Sequence, residues 1–214
     1  MLKKVSVLIP AYNEEIGISS VVKTCLNNRN ISEVVVIDDG SNDLTSYVAR
    51  NLGATVLSYG SNRGKAHALL FGSQYAKNET LLLLDADLIG LTDQHINDLV
   101  NPVLYGEADS TIGLFTGGRF KTDLAHAITP NLSGQRCIGR EFMLSLASYA
   151  TARFGIEVVI TRHQIKENKI VKKVPLENVT HIMKEEKTGR EKGFFNRMQM
   201  YVDILKNVFN RRKL

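Results

Sequence analysis

The chain has 214 residues, of which 43% are hydrophobic and 23% charged, with a formal net charge of +5. These values are ordinary for a globular protein and allow one domain with a substantial core and a short appendage. No apolar stretch approaches the roughly 20 residues of a membrane-spanning helix and no signal peptide is visible, so we expect a cytoplasmic protein and exclude an integral membrane protein.

The first half of the chain alternates between strand and helix patterns. The predicted elements are a strand at Val5–Ile9, a helix at Glu14–Asn28, a strand at Glu33–Ile37, a helix capped by Ser41 or Asn42 and ending at Asn51, a strand at Ala54–Ser58, a helix at Gly64–Ala76, a strand at Thr80–Leu84 and a helix capped by Thr92 and ending at Leu104. This order predicts an α/β fold with a mostly parallel sheet flanked by helices on both faces.

The second half is less regular. Its predicted elements are a strand at Ala108–Leu114, a mobile loop with a short helix at Phe115–Asn131, helices at Gly139–Tyr149 and Glu157–Glu167, strands at Ile170–Val174 and Leu176–Met183, a charged linker at Lys184–Arg190 and a final helix at Gly193–Arg212. We therefore divide the chain into a domain at residues 1–187 and a basic amphipathic helix at residues 188–214.

Acidic and polar side chains follow three of the predicted strands. These strand ends are Pro10–Glu15, Asp38–Ser41 and Asp85–Asp87. Ligands of open α/β sheets bind beyond the carboxyl ends of the strands, so we expect the three segments to meet at one edge. Asp39 alone is equally consistent with a helix cap. Three strand ends that carry carboxylates together indicate a binding site.

The tripeptide Asp85-Ala86-Asp87 suits a hard divalent cation such as Mg²⁺ or Mn²⁺. A diphosphate is the natural third partner, because the cation neutralises its charge and makes it a better leaving group. Such a tripeptide is a weak signal by itself and gains weight only from its place after the apolar run Leu81–Leu84.

Four segments together resemble glycosyltransferase family 2. They are VLIPAYNEE at Val7–Glu15, VIDDGS at Val36–Ser41, NRGK at Asn62–Lys65 and LLDAD at Leu83–Asp87. Four motifs in the family's order and spacing are much more specific than one. The chain looks like the short members related to dolichol-phosphate mannosyltransferase and glucosyl-3-phosphoglycerate synthase.

The resemblance implies a GT-A fold and a metal-dependent enzyme. The enzyme would move a single hexose from a nucleotide diphosphate sugar of the UDP-glucose or GDP-mannose type to a small phosphorylated or polyprenyl-phosphate acceptor. Inversion of configuration rests on family analogy alone. The implied cofactor is Mn²⁺ or Mg²⁺.

The resemblance also implies roles for residues of the first half. Asp38 binds the base, Asp85 faces the ribose or the sugar, and Asp87 is the direct metal ligand and a catalytic residue. The remaining residues of the implied nucleotide-sugar site are Pro10, Ala11, Tyr12, Glu14, Asp39, Gly64, Lys65 and Ala86. The alternative for Lys65 is that it is only a solvent-exposed residue at the start of a helix.

In the second half, the residues implied to meet the donor sugar and the acceptor are Ser133, Gly134, Gln135 and Arg136. His181 either completes the metal shell or is a partly exposed strand histidine. Glu157 is the candidate catalytic base if the acceptor is an alcohol. The alternative for Glu157 is a structural one: it is only a carboxylate in the first turn of a helix, where the helix dipole favours negative charge. A phosphate acceptor is already ionised and needs no base.

Two other classes compete with this interpretation. A nucleotidyltransferase of similar architecture would need a glycine-rich loop after the first strand, where this chain has Ala11–Glu15. A catalytically weak sugar-nucleotide-binding partner subunit would keep the donor site without transfer. A Rossmann dehydrogenase is excluded because no GxGxxG follows the first strand.

The C-terminal segment holds the basic excess. From Lys184 to Leu214 nine basic side chains stand against four acidic ones, so this tail alone accounts for the net charge of +5. A nucleic-acid partner would instead favour a basic face spread over the fold. The sequence leaves three roles open for the apolar stripe of the final helix. The stripe packs on the domain's own core, or it forms a homodimer interface, or it lies on an anionic membrane surface as a peripheral anchor.

Overall fold

The computed structural model describes residues 3–116, 133–150 and 155–182. Its strands are β1 (Val5–Ala11), β2 (Ile31–Asp38), β3 (Thr55–Ser58), β4 (Thr80–Leu83), β5 (Leu88–Ile89), β6 (Ser110–Thr116), β7 (Arg136–Gly139), β8 (Val171–Glu177) and β9 (Thr180–His181). Its α-helices are α1 (Ile18–Asn27), α2 (Thr45–Asn51), α3 (Lys65–Tyr75), α4 (Asp93–Leu104), α5 (Arg140–Ser145) and α6 (Ile156–Lys166), and a 3₁₀ turn spans Ala147–Tyr149.

Seven strands form one mixed sheet in the order β3-β2-β1-β4-β7-β6-β8. β1 to β4 run parallel, β7 is antiparallel to both of its neighbours, and β8 is parallel to β6. The predicted α/β fold with a mostly parallel sheet is therefore confirmed. Ala11 is paired with Asp38, so the ends of β1 and β2 lie side by side at one edge.

Both faces of the sheet are covered by helices, which explains the near-continuous apolar sequence of the central strands. In β1, Val7 and Ile9 pack into a cluster with α1 and α4, whereas Leu8 packs into a second cluster with α3 and α6. The alternation follows from the two-residue period of a strand. The core thus holds the strand ends rigidly at the edge where the acidic segments emerge.

Several predicted boundaries are wrong. Ser41 and Asn42 do not cap α2, which begins at Thr45; their loop instead bonds to the loop after β1. The predicted strand Ile170–Val174 continues through Pro175 to Glu177 as β8, and the predicted strand Leu176–Met183 is divided between the end of β8 and the separate strand β9. β8 lies at the end of the strand order, and an edge strand is where a sheet tolerates proline. The predicted cap of α4 by Thr92 is confirmed, with a reciprocal bond to His95.

Two strands lack a counterpart in the sequence interpretation. The short strand β7 was not predicted, and neither was β5, which pairs with β9 in a separate two-stranded sheet. β6 extends through Thr116, into the segment predicted as a mobile loop. The remainder of that loop, the predicted linker at residues 184–190 and the final helix at residues 193–212 lie outside the described residues. No helix within the described ranges has the length and apolarity needed to cross a bilayer.

Candidate active site

The loops after β1 and β2 are bonded to each other at the carboxyl edge of the sheet. The Asn13 backbone N–H donates to Ser41 Oγ at 2.9 Å, and the Asn42 N–H donates to Asn13 Oδ1 at 2.9 Å. The Glu14 N–H donates to Thr45 Oγ1 at 2.8 Å. These contacts bring Pro10–Glu14 beside Asp38–Ser41, as predicted. Tyr12 remains 43% exposed at the mouth of this edge, where its ring is available for stacking.

Asp38 is fixed by its own turn and by α2. It is 6% exposed, and its Oδ1 accepts a hydrogen bond from the Ser41 N–H at 2.9 Å. Its Oδ2 accepts a hydrogen bond from the Ser46 hydroxyl. The carboxylate is therefore oriented by the protein before any ligand arrives.

Asp39 connects the end of β2 to the start of α3. Its Oδ1 accepts from the Arg63 N–H at 2.7 Å and its Oδ2 from the Gly64 N–H at 2.8 Å. Gly64 has a φ of 91°, a conformation that favours glycine. Asp39 thus satisfies backbone donors at the start of α3, not of the helix that follows it in sequence, and it places Lys65 at the edge of the site.

Asp39→Ala should lower the free energy of unfolding by about 2–3 kcal/mol, because two backbone donors would lose a charged acceptor. Asp39 is only 4% exposed, so water cannot replace it well. Urea denaturation measures the change, and Asp98→Ala on the exposed face of α4 is the control. A loss equal to that of the control would contradict the bracing role of Asp39.

Lys65, Asp85 and Gln135 form a connected polar cluster. Lys65 Nζ lies 2.5 Å from Asp85 Oδ1 and 2.7 Å from Glu157 Oε1. Gln135 Nε2 donates to Asp85 Oδ2 at 2.8 Å, and Gln135 Oε1 accepts from the Asp85 N–H at 3.0 Å. A Cβ at Gly134 would lie 2.5 Å from Lys65 Nζ, so a side chain there would displace the ends of the cluster's side chains.

The charges of the cluster stabilise one another. Burial raises the pKa of Asp85, but the Lys65 ammonium outweighs it and brings the pKa to about 2. Burial lowers the pKa of Lys65, but the carboxylates of Asp85 and Glu157 outweigh it and raise the pKa above its ordinary value. Both partners are therefore charged at neutral pH.

His181 reaches Asp87 through the two-stranded sheet. Leu88 is paired with His181, and the Ile182 N–H donates to the Asp87 carbonyl at 2.9 Å. His181 Nδ1 lies 2.9 Å from Asp87 Oδ1. Burial lowers the pKa of His181, but the hydrogen bond to Asp87 and the charges of Asp85 and Asp87 outweigh it, so the pKa is raised. The two residues predicted as metal ligands are thus adjacent.

This pair offers one carboxylate and one imidazole. Within the three described ranges, no three acidic, histidine or cysteine side chains gather as a group able to hold a metal ion. Mg²⁺ sites commonly use one or two carboxylates together with substrate phosphates, and imidazole and carboxylate donors both occur in transition-metal sites. The donor atoms of Asp87 and His181 fit a cation shared with a diphosphate.

Arg136 is placed differently from its implied role at the sugar. It is 1% exposed, and its guanidinium donates to Thr161 Oγ1 at 2.9 Å and to the Ser133 carbonyl at 2.8 Å. Burial lowers the pKa of Arg136 to about 10. In the structure Arg136 braces β7 against α6, and of the segment Ser133–Arg136 it is Gly134 and Gln135 that touch Asp85.

Three neighbours of the site were missed by the sequence interpretation. Gly17 packs on the backbone of the acidic tripeptide, because a Cβ there would lie 2.9 Å from the Ala86 carbonyl oxygen. The centroid of the Phe115 ring lies 4.9 Å from the centroid of the His181 ring. Tyr59 follows β3 near Asp39, and burial together with that carboxylate raises its pKa. No motif marks these residues, since their positions depend on packing between distant segments.

The chain matches the profile of Glycosyl transferase family 2 over residues 6–167. Among solved structures, it is similar to glucosyl-3-phosphoglycerate synthase from Mycobacterium tuberculosis in complex with Mn²⁺, uridine diphosphate and glucosyl-3-phosphoglycerate. That match has 25% identity and a TM-score of 0.71, and covers 85% of this chain and 72% of that one. The same enzyme with Mg²⁺ and uridine diphosphate gives 27% identity, a TM-score of 0.70 and the same coverage. These similarities confirm the predicted GT-A fold.

Curated relatives match a shorter stretch. The 4,4'-diaponeurosporenoate glycosyltransferase of Staphylococcus haemolyticus is 35% identical over 99 residues, which cover 44% of this chain and 26% of that protein. The Staphylococcus aureus enzyme of the same name is 34% identical over 104 residues, covering 46% and 28%. The matched part therefore spans about a quarter of the length of these relatives.

Proposed function

This chain belongs to glycosyl transferase family 2, and from this premise we propose that it transfers a hexose from a nucleotide diphosphate sugar in a metal-dependent reaction. The observation that carries the proposal is the convergence of Asp85, Asp87, Lys65 and His181 at the carboxyl edge of the sheet. A cluster of charged groups at this edge is where an α/β sheet binds ligands.

We assign the nucleoside to the space beside β1, β2 and the start of α3. The exposed ring of Tyr12 offers a stacking face for the base. The buried carboxylate of Asp38 is oriented by Ser41 and Ser46 and retains acceptor capacity for a base N–H. The cluster around Asp85 is assigned to the ribose or the donor sugar, whose hydroxyls suit carboxylate acceptors.

Asp87 and His181 are the residues that would hold Mn²⁺ or Mg²⁺. When bound, the cation neutralises the diphosphate and makes it a better leaving group. In its hydrogen bond to Asp87 Oδ1, His181 Nδ1 is the donor, so this nitrogen must give up its proton before its lone pair can bind the cation. The hydrogen bond from the Ile182 N–H to the Asp87 carbonyl joins the two backbone segments that carry these side chains and so keeps the side chains close together.

We propose a small phosphorylated acceptor. The similar Mycobacterium tuberculosis enzyme was solved with Mn²⁺, uridine diphosphate glucose and glycerol 3-phosphate, which supports this acceptor class and a uridine nucleotide for the chain described here. A polyprenyl-phosphate acceptor and an anionic membrane surface stay predictions, because the C-terminal segment on which they rest lies outside the described residues.

The decisive experiment is isothermal titration calorimetry of the full chain with a panel of nucleotide sugars, with Mn²⁺ or with chelator. Binding of one donor that requires the cation, followed by release of nucleoside diphosphate when phosphorylated acceptors are added, is the expected result. Binding without transfer to any acceptor would favour a sugar-nucleotide-binding partner subunit. Absence of donor binding in Mn²⁺ would contradict the proposed function.

A further inference from the structure

Glu157 contacts the donor side of the site from a helix of the other half of the fold. It lies in the first turn of α6, and its Oε1 is 2.7 Å from Lys65 Nζ. Lys65 is the first residue of α3, and Asp85 follows β4. One ammonium therefore joins three elements that are far apart in the sequence.

The ammonium lies between two carboxylates. Asp85 Oδ1 is 2.5 Å from it and Glu157 Oε1 is 2.7 Å from it, and Gly134, which has no side chain, is a further neighbour. Asp85 is in turn held by the Gln135 amide. A change at Glu157 is thus transmitted to Asp85 through Lys65.

A general base needs an oxygen within hydrogen-bond reach of the proton that it removes. One oxygen of Glu157, Oε1, lies 2.7 Å from the Lys65 ammonium, so this carboxylate already has a charged partner inside the protein.

We propose that Glu157 is a positioning residue that acts through Lys65: it holds the ammonium against Asp85 and so sets the affinity for the donor sugar, and it does not remove a proton from the acceptor. This inference rests on the proposed function, because it assigns the sugar of the donor to the Asp85 cluster. It departs from the role of catalytic base that the sequence suggested for Glu157.

The test compares Glu157→Ala with Glu157→Gln in the full chain with Mn²⁺. Alanine removes the contact to Lys65 and should weaken binding of the nucleotide sugar about 10-fold, while binding of the nucleoside diphosphate changes by less than about twofold. Glutamine keeps an acceptor oxygen beside Lys65 and should restore most of the donor affinity and of kcat. Glu167→Ala, at the opposite end of α6, is the matched control and should change neither constant.

Lys65→Met, alone and combined with Glu157→Ala, completes a double-mutant cycle on donor affinity. The two changes should be strongly non-additive, since each breaks the same bridge. Additive effects would overturn the proposal. So would a loss of kcat of about 100-fold or more in both Glu157 variants with donor affinity unchanged, which is the signature of a lost base.

Two further measurements keep the outcomes distinct. If Glu157→Ala fails to fold by circular dichroism, Glu157→Gln decides alone: kcat within about threefold of the unmodified chain supports positioning, and a loss of about 100-fold overturns it. A failure of the proposed function would appear in the unmodified chain, as absence of cation-dependent donor binding. The inference about Glu157 is contradicted only when the unmodified chain shows this binding and the Glu157 variants give one of the contrary results described above.

Discussion

Asp87→Ala is expected to lower the rate of sugar transfer by about 100- to 1,000-fold, the range found when a group that stabilises developing charge is removed. The substitution removes the carboxylate from the Asp87–His181 pair and leaves His181 as the remaining protein donor there. The fold should persist, because the bond that joins the two strands at this point uses the Asp87 carbonyl and the Ile182 N–H. Transfer assays across a range of Mn²⁺ concentrations measure the effect, and thermal melting checks the fold.

His181→Ala provides the graded comparison for Asp87→Ala. Loss of the neutral His181 imidazole should lower metal affinity and activity less than loss of the charged Asp87 carboxylate. Partial recovery of both variants at high Mn²⁺ is expected, since mass action restores occupancy of a weakened site. If Asp87→Ala keeps full activity in chelator-treated buffer, the assignment of a metal to this pair is wrong.

Gly90→Ala is expected to weaken metal binding by about 10- to 100-fold without altering a ligand. Gly90 follows β5 with a φ of 80°, and a Cβ there would lie 2.4 Å from the Asn178 carbonyl oxygen. The backbone before β9 must therefore move away from β5, and it takes His181 with it. Calorimetric titration with Mn²⁺ in the presence of nucleoside diphosphate measures the change.

Gly106→Ala separates this steric effect from backbone strain. Gly106 has a φ of 75°, close to that of Gly90, but no atom lies within 4 Å of the position of its Cβ. Both variants carry the strain of a left-handed residue with a side chain, roughly 1–2 kcal/mol. The control should lose stability and keep its metal affinity. Equal metal affinity in the two variants would show that β9 does not position His181.

The acidic strand ends were predicted because a local pattern encodes them. A buried β-branched run such as Val34–Ile37 identifies a strand, and the carboxylates of Asp38 and Asp39 then stand at its carboxyl end. The parallel order of β1 to β4 brings such ends to one edge. The alternative that Asp39 caps a helix is wrong: it accepts from the N–H groups of Arg63 and Gly64, the two residues just before α3, and neither α2 nor α3 has a side-chain cap.

The sequence by itself determined the α/β class, the mostly parallel sheet and the edge that carries the acidic residues, since strand and helix periods and strand-end polarity are local properties. Only the tertiary structure decided the partners of those residues. The pairing of β5 with β9 joins Asp87 to His181 across 94 positions, and the packing of α6 brings Glu157 to Lys65. Strands of two residues have no detectable period, and contacts between distant segments depend on the shape of the whole core, so neither could be predicted from the local sequence.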